Sequence, residues 1–159
     1  MGDGARDGSV NAGKVTIRLA RVGDAGRIAE LATQLGYPTT LEQMQWRLSQ
    51  VGQAEERAVY VAVRDGRVVG WIHVCVRPLV QVDRAAEIEG LVVDEACRGQ
   101  GIGRLLIRQI EQWVGEKGCD AIYVRSNIIR ERAHGFYQEL GYENIKTSLT
   151  FRKMLRDAI

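Results

Sequence analysis

The stretch that decides the fold covers residues 88–110 and reads IEGLVVDEACRGQGIGRLLIRQI. Its first six residues are mostly apolar and β-branched, which predicts a buried strand. From Gly101 onward the apolar residues recur with the 3.6-residue period of an amphipathic helix. Between them lies a glycine-rich segment, RGQGIG, at residues 98–103. The pattern therefore predicts a strand that passes through a short glycine loop directly into a helix.

Such a junction favours the binding of an anion. The first backbone N–H groups of a helix have no partner inside the helix, and the helix dipole adds positive character there. Glycines let the backbone approach a phosphate closely. Arg98, Arg104 and Arg108 can add side-chain charge. The loop is thus predicted to bind a phosphate-containing ligand.

The segments before the loop predict two helices and a meander of strands. Residues 15–19 alternate as a strand, and Asp24 is placed to cap the helix that follows. Thr40 begins a second helix, with Glu42 or Gln43 completing a capping box. Further strands are predicted at residues 59–63, 68–76 and 85–93. The pair Asp65-Gly66 predicts a tight hairpin turn, and Pro78 is expected to end the strand after it.

The segments after the loop complete a mixed α/β pattern. The loop helix is expected to stop at Gly118, before a strand at residues 120–125. A short helix follows at residues 131–140, and a final strand pair is predicted at residues 142–146 and 148–155. The fold class is therefore a single mixed α/β domain over residues 14–157. Residues 1–13 hold four glycines and little to bury, so they predict a disordered leader.

Composition excludes several classes of protein. The chain has 159 residues, 45% hydrophobic and 26% charged, as expected of one globular domain. A net charge of +2 argues against a broad nucleic-acid or membrane surface. No apolar run approaches the ~20 residues that span a bilayer, and no signal peptide is visible. Cys75, Cys97 and Cys119 lack the spacing of disulfides or zinc ligands, so no metal and a cytoplasmic location are predicted.

Two common phosphate loops do not fit residues 98–103. A P-loop requires a Gly-Lys-Ser/Thr sequence, which does not occur at this junction. A dinucleotide-binding loop requires G-x-G-x-x-G early in a parallel fold, whereas here the glycines are Gly99, Gly101 and Gly103. Three strands of antiparallel character also precede the loop. The loop is therefore predicted to be neither a P-loop nor a dinucleotide-binding loop.

The pattern R-x-x-G-x-G after a strand resembles the acetyl-CoA motif of the GCN5-related N-acetyltransferase (GNAT) superfamily. The resemblance extends over residues 91–106, LVVDEACRGQGIGRLL. A second block at residues 132–142, RAHGFYQELGY, is similar to the family's AxxFYxxxGF block, with Tyr142 in place of Phe. Two blocks in the right order are more specific than one glycine loop. The resemblance covers about residues 15–155 and implies a sheet whose two central strands splay apart.

The resemblance implies which residues contact coenzyme A. In the family, the strand before the loop pairs through its backbone with pantetheine, and the loop backbone binds the pyrophosphate. An asparagine near the second block often contacts the cofactor, but Arg130 stands at that position here and Asn127 lies three residues earlier. The implied cofactor residues are Leu91, Val92, Val93, Arg98, Gly99, Gln100, Gly101, Ile102, Gly103, Arg104, Asn127 and Arg130.

The resemblance also implies the catalytic groups. Tyr137 matches the family's tyrosine, which acts as general acid toward the leaving thiolate. The N–H of Val93 is the implied donor to the oxyanion. Glu87 and Glu89 are both candidate bases, acting directly or through water. Because they lie two residues apart, we expect them to share a strand face with Leu91 and Val93.

These features predict an enzyme that transfers an acyl group, in particular acetyl, from acetyl-CoA to a primary amine by direct attack in a ternary complex. The alternative is a non-catalytic module of the same fold that binds acyl-CoA as a sensor. The acceptor is a small-molecule or protein amine, and no nucleic acid or membrane partner is predicted. Glu42, Asp83 and the two strand glutamates suggest a cationic acceptor. Dimers are common in the family, so a homodimer stays open.

Overall fold

A computed structural model describes residues 13–156 of the chain. All but Gly13 of the predicted leader lies outside these residues. The chain divides into two compact units, Met1–Val124 and Arg125–Ile159. That residues 14–157 form a single domain stays a prediction. Within residues 13–156, no helix has the length and apolar character needed to cross a membrane. The same residues hold no cluster of three or more His, Cys, Asp or Glu side chains suited to a metal ion.

The first unit is built on a five-stranded sheet with three α-helices. Its elements are β1 (Thr16–Leu19), α1 (Ala25–Leu35), α2 (Leu41–Gly52), β2 (Arg57–Arg64), β3 (Arg67–Leu79), β4 (Val82–Val93), α3 (Ile102–Glu116) and β5 (Ile122–Val124). The strands are ordered β1-β2-β3-β4-β5. Neighbours are antiparallel except for β4 and β5, which are parallel. This mixed sheet with flanking helices confirms the predicted fold class.

The two faces of this sheet are covered by different helices. Val59, Val61 and Val92 of the sheet belong to one buried cluster with Ile28 of α1 and Met44 of α2. We call this side the α2 face. On the opposite side, which we call the α3 face, a Cβ added to Gly70 would lie 3.4 Å from Leu106 and 3.5 Å from Ile102 of α3. The core therefore forms two layers, one on each side of the sheet.

Local signals in the first half are largely confirmed. Thr40 Oγ1 accepts a hydrogen bond from the Gln43 N–H at 3.1 Å, and Gln43 Oε1 accepts one from the Thr40 N–H at 3.1 Å, which completes the capping box at α2. The β2–β3 turn places Asp65 at φ 51° and Gly66 at φ 74°. Two successive positive φ angles are the conformation of a type I′ turn, which matches the twist of the flanking strands.

Two local predictions are wrong in detail. Pro78 does not end β3, which continues to Leu79. The register shifts between Arg77 and Leu79, so Pro78 lies at an irregularity where it has no ladder bond to donate. Asp24 precedes α1, but its side chain does not cap the helix. It instead accepts hydrogen bonds from the Arg18 guanidinium at 2.8 and 2.9 Å and from the Arg21 N–H at 2.8 Å.

The second unit contains α4 (Glu131–Glu139) and an extended tail. The helix stops before Gly141, which has a φ of 90°. The predicted final strand pair is wrong, because residues 142–156 contain no strand. Leu149 and Phe151 are 81% and 87% exposed. A segment with alternating apolar residues forms a strand only when another strand pairs with it and its apolar side chains pack against a surface. Within its own unit, this tail has neither.

The Asp24–Arg18 pair gives a testable dependence of stability on pH. The hydrogen bond from Arg18 is the main cause that lowers the pKa of Asp24 below its ordinary value. A lowered pKa stabilises the fold above about pH 4, and that contribution is lost as the pH falls through the folded-state pKa. We expect Asp24→Asn to reduce the free energy of unfolding by about 1 kcal/mol at pH 7 and by less at pH 3.

Urea unfolding of both proteins at the two pH values measures this difference. Asp83→Asn is a suitable control, because Asp83 is exposed at the start of β4 and should leave the free energy nearly unchanged. An equal loss for Asp24→Asn at pH 7 and pH 3 would contradict the assignment.

Candidate active site

The site begins with a bulge in β4. Along the β3–β4 ladder Val74 pairs with Ile88 and His73 pairs with Gly90, which leaves Glu89 as an extra residue. Backbone hydrogen bonds give independent support. Ala86 donates toward β5, to Ala121 O at 3.0 Å, whereas Asp94 donates toward β3, to Val69 O at 2.8 Å. Without a bulge these residues, eight apart, would point their N–H groups to the same side.

The bulge corrects the predicted arrangement of the glutamates. Glu87 pairs with Cys75, while Leu91 and Val93 pair with Ile72 and Gly70. Counting along β3, Cys75 lies on the α2 face and Ile72 and Gly70 lie on the α3 face. Glu87 therefore does not share a face with Leu91 and Val93. The prediction assumed an uninterrupted strand, and the extra residue inverted the alternation.

The end of β4 has an edge that β5 does not occupy. The β4–β5 pairing runs from Ala86 to Ile88, and no residue of β5 pairs with β4 beyond that point. Because Asp94 N–H points toward β3, the alternation turns the N–H groups of Leu91 and Val93 away from β3, toward this edge. The backbone groups of Val92 point toward β3 and hold the two strands together. The edge thus offers backbone donors and acceptors to an extended ligand.

The glycine loop leads from this edge into α3. Gly99 and Gly101 have φ angles of 76° and 81°, a region that residues with side chains rarely adopt. A Cβ at either position would meet nothing within 4 Å. Helix α3 begins at Ile102 with no side chain capping its first N–H groups. The loop therefore leaves open space in front of a helix N-terminus, as an anion site requires.

Two side chains of the loop already have protein partners. Arg98 Nε donates to the carbonyl oxygen of Val93 at 3.4 Å, so this arginine links the loop to the open edge of β4. The side chain of Gln100 accepts a hydrogen bond from Arg64 at the end of β2. The same guanidinium contacts Cys97 Sγ at 2.9 Å. These contacts hold the loop and leave its backbone to bind a ligand.

Arg27 of α1 anchors the start of the loop. Its Nε donates to Val68 O at 2.9 Å, and its other nitrogens pair with Glu30 and Asp94. Burial acts to raise the pKa of Asp94, but hydrogen bonds from Ala96 N–H and Gln34, with the charge of Arg27, hold the pKa below its ordinary value. Asp94 is thus held as an anion between α1 and the loop. The sequence motif gave no signal for this contact, which joins residues 67 positions apart.

The two candidate bases share one cation. Arg77 of β3 forms an ion pair with Glu89 and lies 3.6 Å from Glu87, measured from Nη1 to Oε2. Glu89 also lines a cavity of about 660 Å³ on the α2 face. Glu87 is more enclosed and is not part of that lining. The structure therefore brings the two glutamates together but opens only Glu89 to the cavity.

A second cavity, of about 450 Å³, lies between α2 and the same sheet face. Arg57 and His73 line both cavities. Burial is the main cause that lowers the pKa of His73, and Arg57 and Arg77 lower it further while Glu89 opposes them. The imidazole is therefore neutral near pH 7. The motifs of the sequence do not include His73, although its alternation with Cys75 and Arg77 along β3 marks their shared face.

The second unit holds the predicted acid. The Tyr137 ring packs edge-on against Phe136 and Tyr142, with centroids 5.3 and 5.7 Å away. Burial raises the pKa of Tyr137 to about 12, with a smaller opposing effect from Arg130. The phenol is therefore protonated throughout the physiological range and can serve as a proton donor. It is unsuited to act as a base near pH 7.

Asn127 and Arg130 shape the turn that leads into α4. Asn127 Oδ1 accepts from the N–H of Ile129 at 3.2 Å, and its backbone oxygen accepts from Arg130 N–H at 2.9 Å. His134 Nε2 lies 2.9 Å from that same backbone oxygen. Both predicted cofactor residues thus lie at the start of α4. His134 supports the turn from one helical turn further along.

The amino-acid sequence is similar to those of known N-acetyltransferases. The sequence model described as the acetyltransferase (GNAT) family matches residues 26–142. An aminoglycoside N(6')-acetyltransferase type 1 of Stenotrophomonas maltophilia is 26% identical over 88% of this chain and 94% of its own length. An uncharacterized N-acetyltransferase of Chlorobaculum tepidum is 30% identical over 89% of this chain and 83% of its own.

Solved structures agree in fold. AAC(6')-Iy in complex with the bisubstrate analogue CoA-S-monomethyl-acetylneamine has a TM-score of 0.79 and 21% identity over 89% of this chain and 99% of its own. The glycine loop after β4, the open strand edge and the matching family model lead to one conclusion. The chain belongs to the acetyltransferase (GNAT) family.

Proposed function

We propose that the protein is an acetyl-CoA-dependent N-acetyltransferase that acts on a primary amine by direct attack in a ternary complex. The observation that carries the proposal is the open edge of β4 running into an uncapped start of α3. This geometry fits a ligand whose extended arm leads to a diphosphate, as the pantetheine arm of coenzyme A does. The names of the relatives, which include N-acetyltransferases and a CoA complex, support the same assignment.

The loop backbone is the proposed pyrophosphate site. The open space in front of Gly99 and Gly101 and the uncapped N–H groups of α3 support this role. Arg98 positions the loop through its bond to Val93 O. The residues proposed to donate from their backbone are Gln100, Gly101, Ile102, Gly103 and Arg104. At the start of α4, Asn127 and Arg130 are proposed as further cofactor contacts.

The open edge of β4 is the proposed site of the pantetheine arm. Leu91 and Val93 would exchange backbone hydrogen bonds with its amides, while Val92 keeps the strand in register with β3. Acetyl-CoA, when bound, supplies an acyl group activated as a thioester. The N–H of Val93 is the proposed donor to the oxygen on which negative charge develops.

Two side chains would move protons. Tyr137, with its pKa of about 12, is proposed to donate a proton to the leaving thiolate sulfur. Glu89 is proposed to accept the proton of the amine, directly or through water, because it lines the cavity. Glu87 is the second candidate for that role. Both carboxylates contact Arg77, which would orient them.

Free-thiol release from acetyl-CoA tests the activity directly. The assay should be run against a panel of small amines, amino acids, aminoglycosides and peptides, with CoA binding measured in parallel by calorimetry. We expect thiol release that depends on at least one amine and saturates with it. Saturable CoA binding without release from any amine would instead favour the non-catalytic binding module.

A glycine substitution tests the pyrophosphate loop. Gly101→Ala places a methyl group in the open space and imposes about 1 kcal/mol of strain at φ 81°. We expect the affinity for CoA to fall about tenfold, measured by calorimetry. Gly115→Ala is the matched control, because Gly115 is exposed in the same helix and has open space around it. Equal CoA affinity in the two variants would argue against the loop as the phosphate site.

The tyrosine has its own test. Tyr137→Phe removes the proton donor while keeping the ring packing, so we expect kcat to fall by about 10²-fold with CoA affinity unchanged. Tyr37→Phe, at a residue 69% exposed after α1, should keep the rate of the unmodified protein. A Tyr137→Phe enzyme with full turnover would remove this residue from the mechanism.

The size of the loss in kcat/KM distinguishes the two glutamates. We expect Glu89→Gln to lower kcat/KM by about 10²-fold, because it removes the proposed proton acceptor. Glu87→Gln should cause a smaller loss, because Glu87 lies outside the cavity lining. The reverse result would assign the base to Glu87, and an unchanged kcat/KM in both variants would exclude a carboxylate base.

A further inference from the structure

The smaller cavity on the α2 face has an unusual charge. We call it the α2 cavity; it is the cavity of about 450 Å³ between α2 and the sheet. Its charged lining residues are Arg47 of α2 and Arg57 of β2, and within residues 13–156 no carboxylate lines it. His73 adds no charge near pH 7, because its pKa is lowered. The cavity is therefore positive as well as partly enclosed.

The charge of Arg57 has no counter-ion in the part of the chain that the structure describes. Among the described residues its guanidinium has no ion pair and no side-chain hydrogen bond. Arg47 donates a hydrogen bond from Nη1 to the neutral hydroxyl of Thr39, Oγ1, at 3.1 Å. Within residues 13–156 neither cation is paired with a carboxylate. Both side chains are exposed and accessible, so a ligand anion could pair with them.

The nearby carboxylates do not cancel this charge. Glu56, which lines the adjacent cavity with Arg57, is bound by Arg84 at 2.8 and 2.9 Å. Glu89 lines the same cavity and is bound by Arg77. Each acidic side chain on this lining is thus already paired. A polycationic ligand would be repelled by the two arginines and would find no unpaired carboxylate among the described residues of either lining.

The remaining walls of the α2 cavity are mostly apolar. Met44, Val51 and Trp71 are among the side chains that line it. Two buried nitrogens of the same lining, Trp71 Nε1 and His73 Nε2, have no hydrogen-bond partner among the described residues. The cavity therefore combines apolar surface with two cationic side chains, and these favour oxygen acceptors on the ligand.

We propose that the acceptor amine carries a carboxylate next to a large apolar group, as in an amino acid with an aromatic or aliphatic side chain. The carboxylate would bind Arg57 and Arg47, and the apolar group would occupy the α2 cavity. This inference rests on the proposed acetyltransferase function. It reverses the expectation of a cationic acceptor. That expectation counted Glu87 and Glu89, which the fold pairs with Arg77. It also counted Glu42 and Asp83, which line neither cavity.

The experiment compares three acceptors that share an amine and differ in charge. L-phenylalanine supplies the carboxylate, L-phenylalaninamide replaces it with a neutral group of the same shape, and kanamycin represents a polycation. Both kcat/KM from thiol release and binding to the CoA complex by calorimetry are measured for the unmodified protein. The same measurements follow for Arg57→Gln and for Arg67→Gln. Arg67 is the control because it is exposed at the start of β3 and lines neither cavity.

We expect L-phenylalanine to exceed the amide in kcat/KM and affinity by about tenfold or more, the size of a charged hydrogen bond. Arg57→Gln should remove most of that preference, leave CoA affinity unchanged and barely affect the amide. Arg67→Gln should keep it. Preference for the amide or for kanamycin, or no effect of Arg57→Gln, would overturn the proposal while the acetyltransferase function stands.

A different result separates the two claims. If no amine releases thiol but L-phenylalanine binds in a manner that depends on Arg57, the anion site stands and the proposed activity fails. If L-phenylalanine neither binds nor reacts while another amine is acetylated, the substrate class fails alone. If nothing binds and nothing reacts, both fail.

Discussion

The bulge at Glu89 sets the direction in which the backbone groups of β4 form hydrogen bonds. The proposed binding site for acetyl-CoA depends on this direction. One extra residue between Ile88 and Gly90 shifts the alternation of the backbone. After the shift, the N–H of Val93 turns toward the edge that β5 leaves open, and not toward β3. The same shift separates the faces of Glu87 and Leu91. A single inserted residue thus decides both which backbone groups can bind a ligand and where the carboxylates lie.

The loop after β4 is held by long-range charge. Arg27 bridges a carbonyl of β3 and the carboxylate of Asp94, and Arg64 reaches the loop from the end of β2. The pair between Arg27 and Asp94 is partly buried, so it is stronger than an isolated surface ion pair. Both arginines fix the position of the loop, while its glycines keep the backbone accessible. Rigid support and open backbone are both required for a preorganised anion site.

Pairing between charges also determines what the α2 face can accept. The glutamates at positions 56, 87 and 89 contact arginines, whereas Arg57 has no counter-ion among the described residues. Counting charged residues along the sequence therefore does not give the charge of a cavity. The field inside a cleft depends on which charges remain unpaired, and that is a property of the folded arrangement.

Local sequence patterns determined the elements whose cause is local. The capping box at Thr40, the turn at Asp65-Gly66 and the glycine loop before α3 depend on residues within a few positions of one another, so their φ angles and hydrogen bonds follow from residue type. The strand–loop–helix motif also identified the family. The role of Tyr137 and the cofactor residues rest on that resemblance and stay proposals.

Only the tertiary structure decided the rest. The bulge needs β3 as its reference, because a slip of one residue is defined only against a partner strand. Pro78 was tolerated, and residues 142–156 formed no strand, since strand formation depends on what lies alongside. The charge of the α2 cavity follows from the fold, which brings Arg47 of α2 and Arg57 of β2 to one lining without a carboxylate among the described residues. The sequence by itself determined that the loop suits a phosphate ligand, because its glycines and the helix start are neighbours in the chain. The fold decided which charged side chains line the α2 cavity, because Arg47 and Arg57 come from different elements.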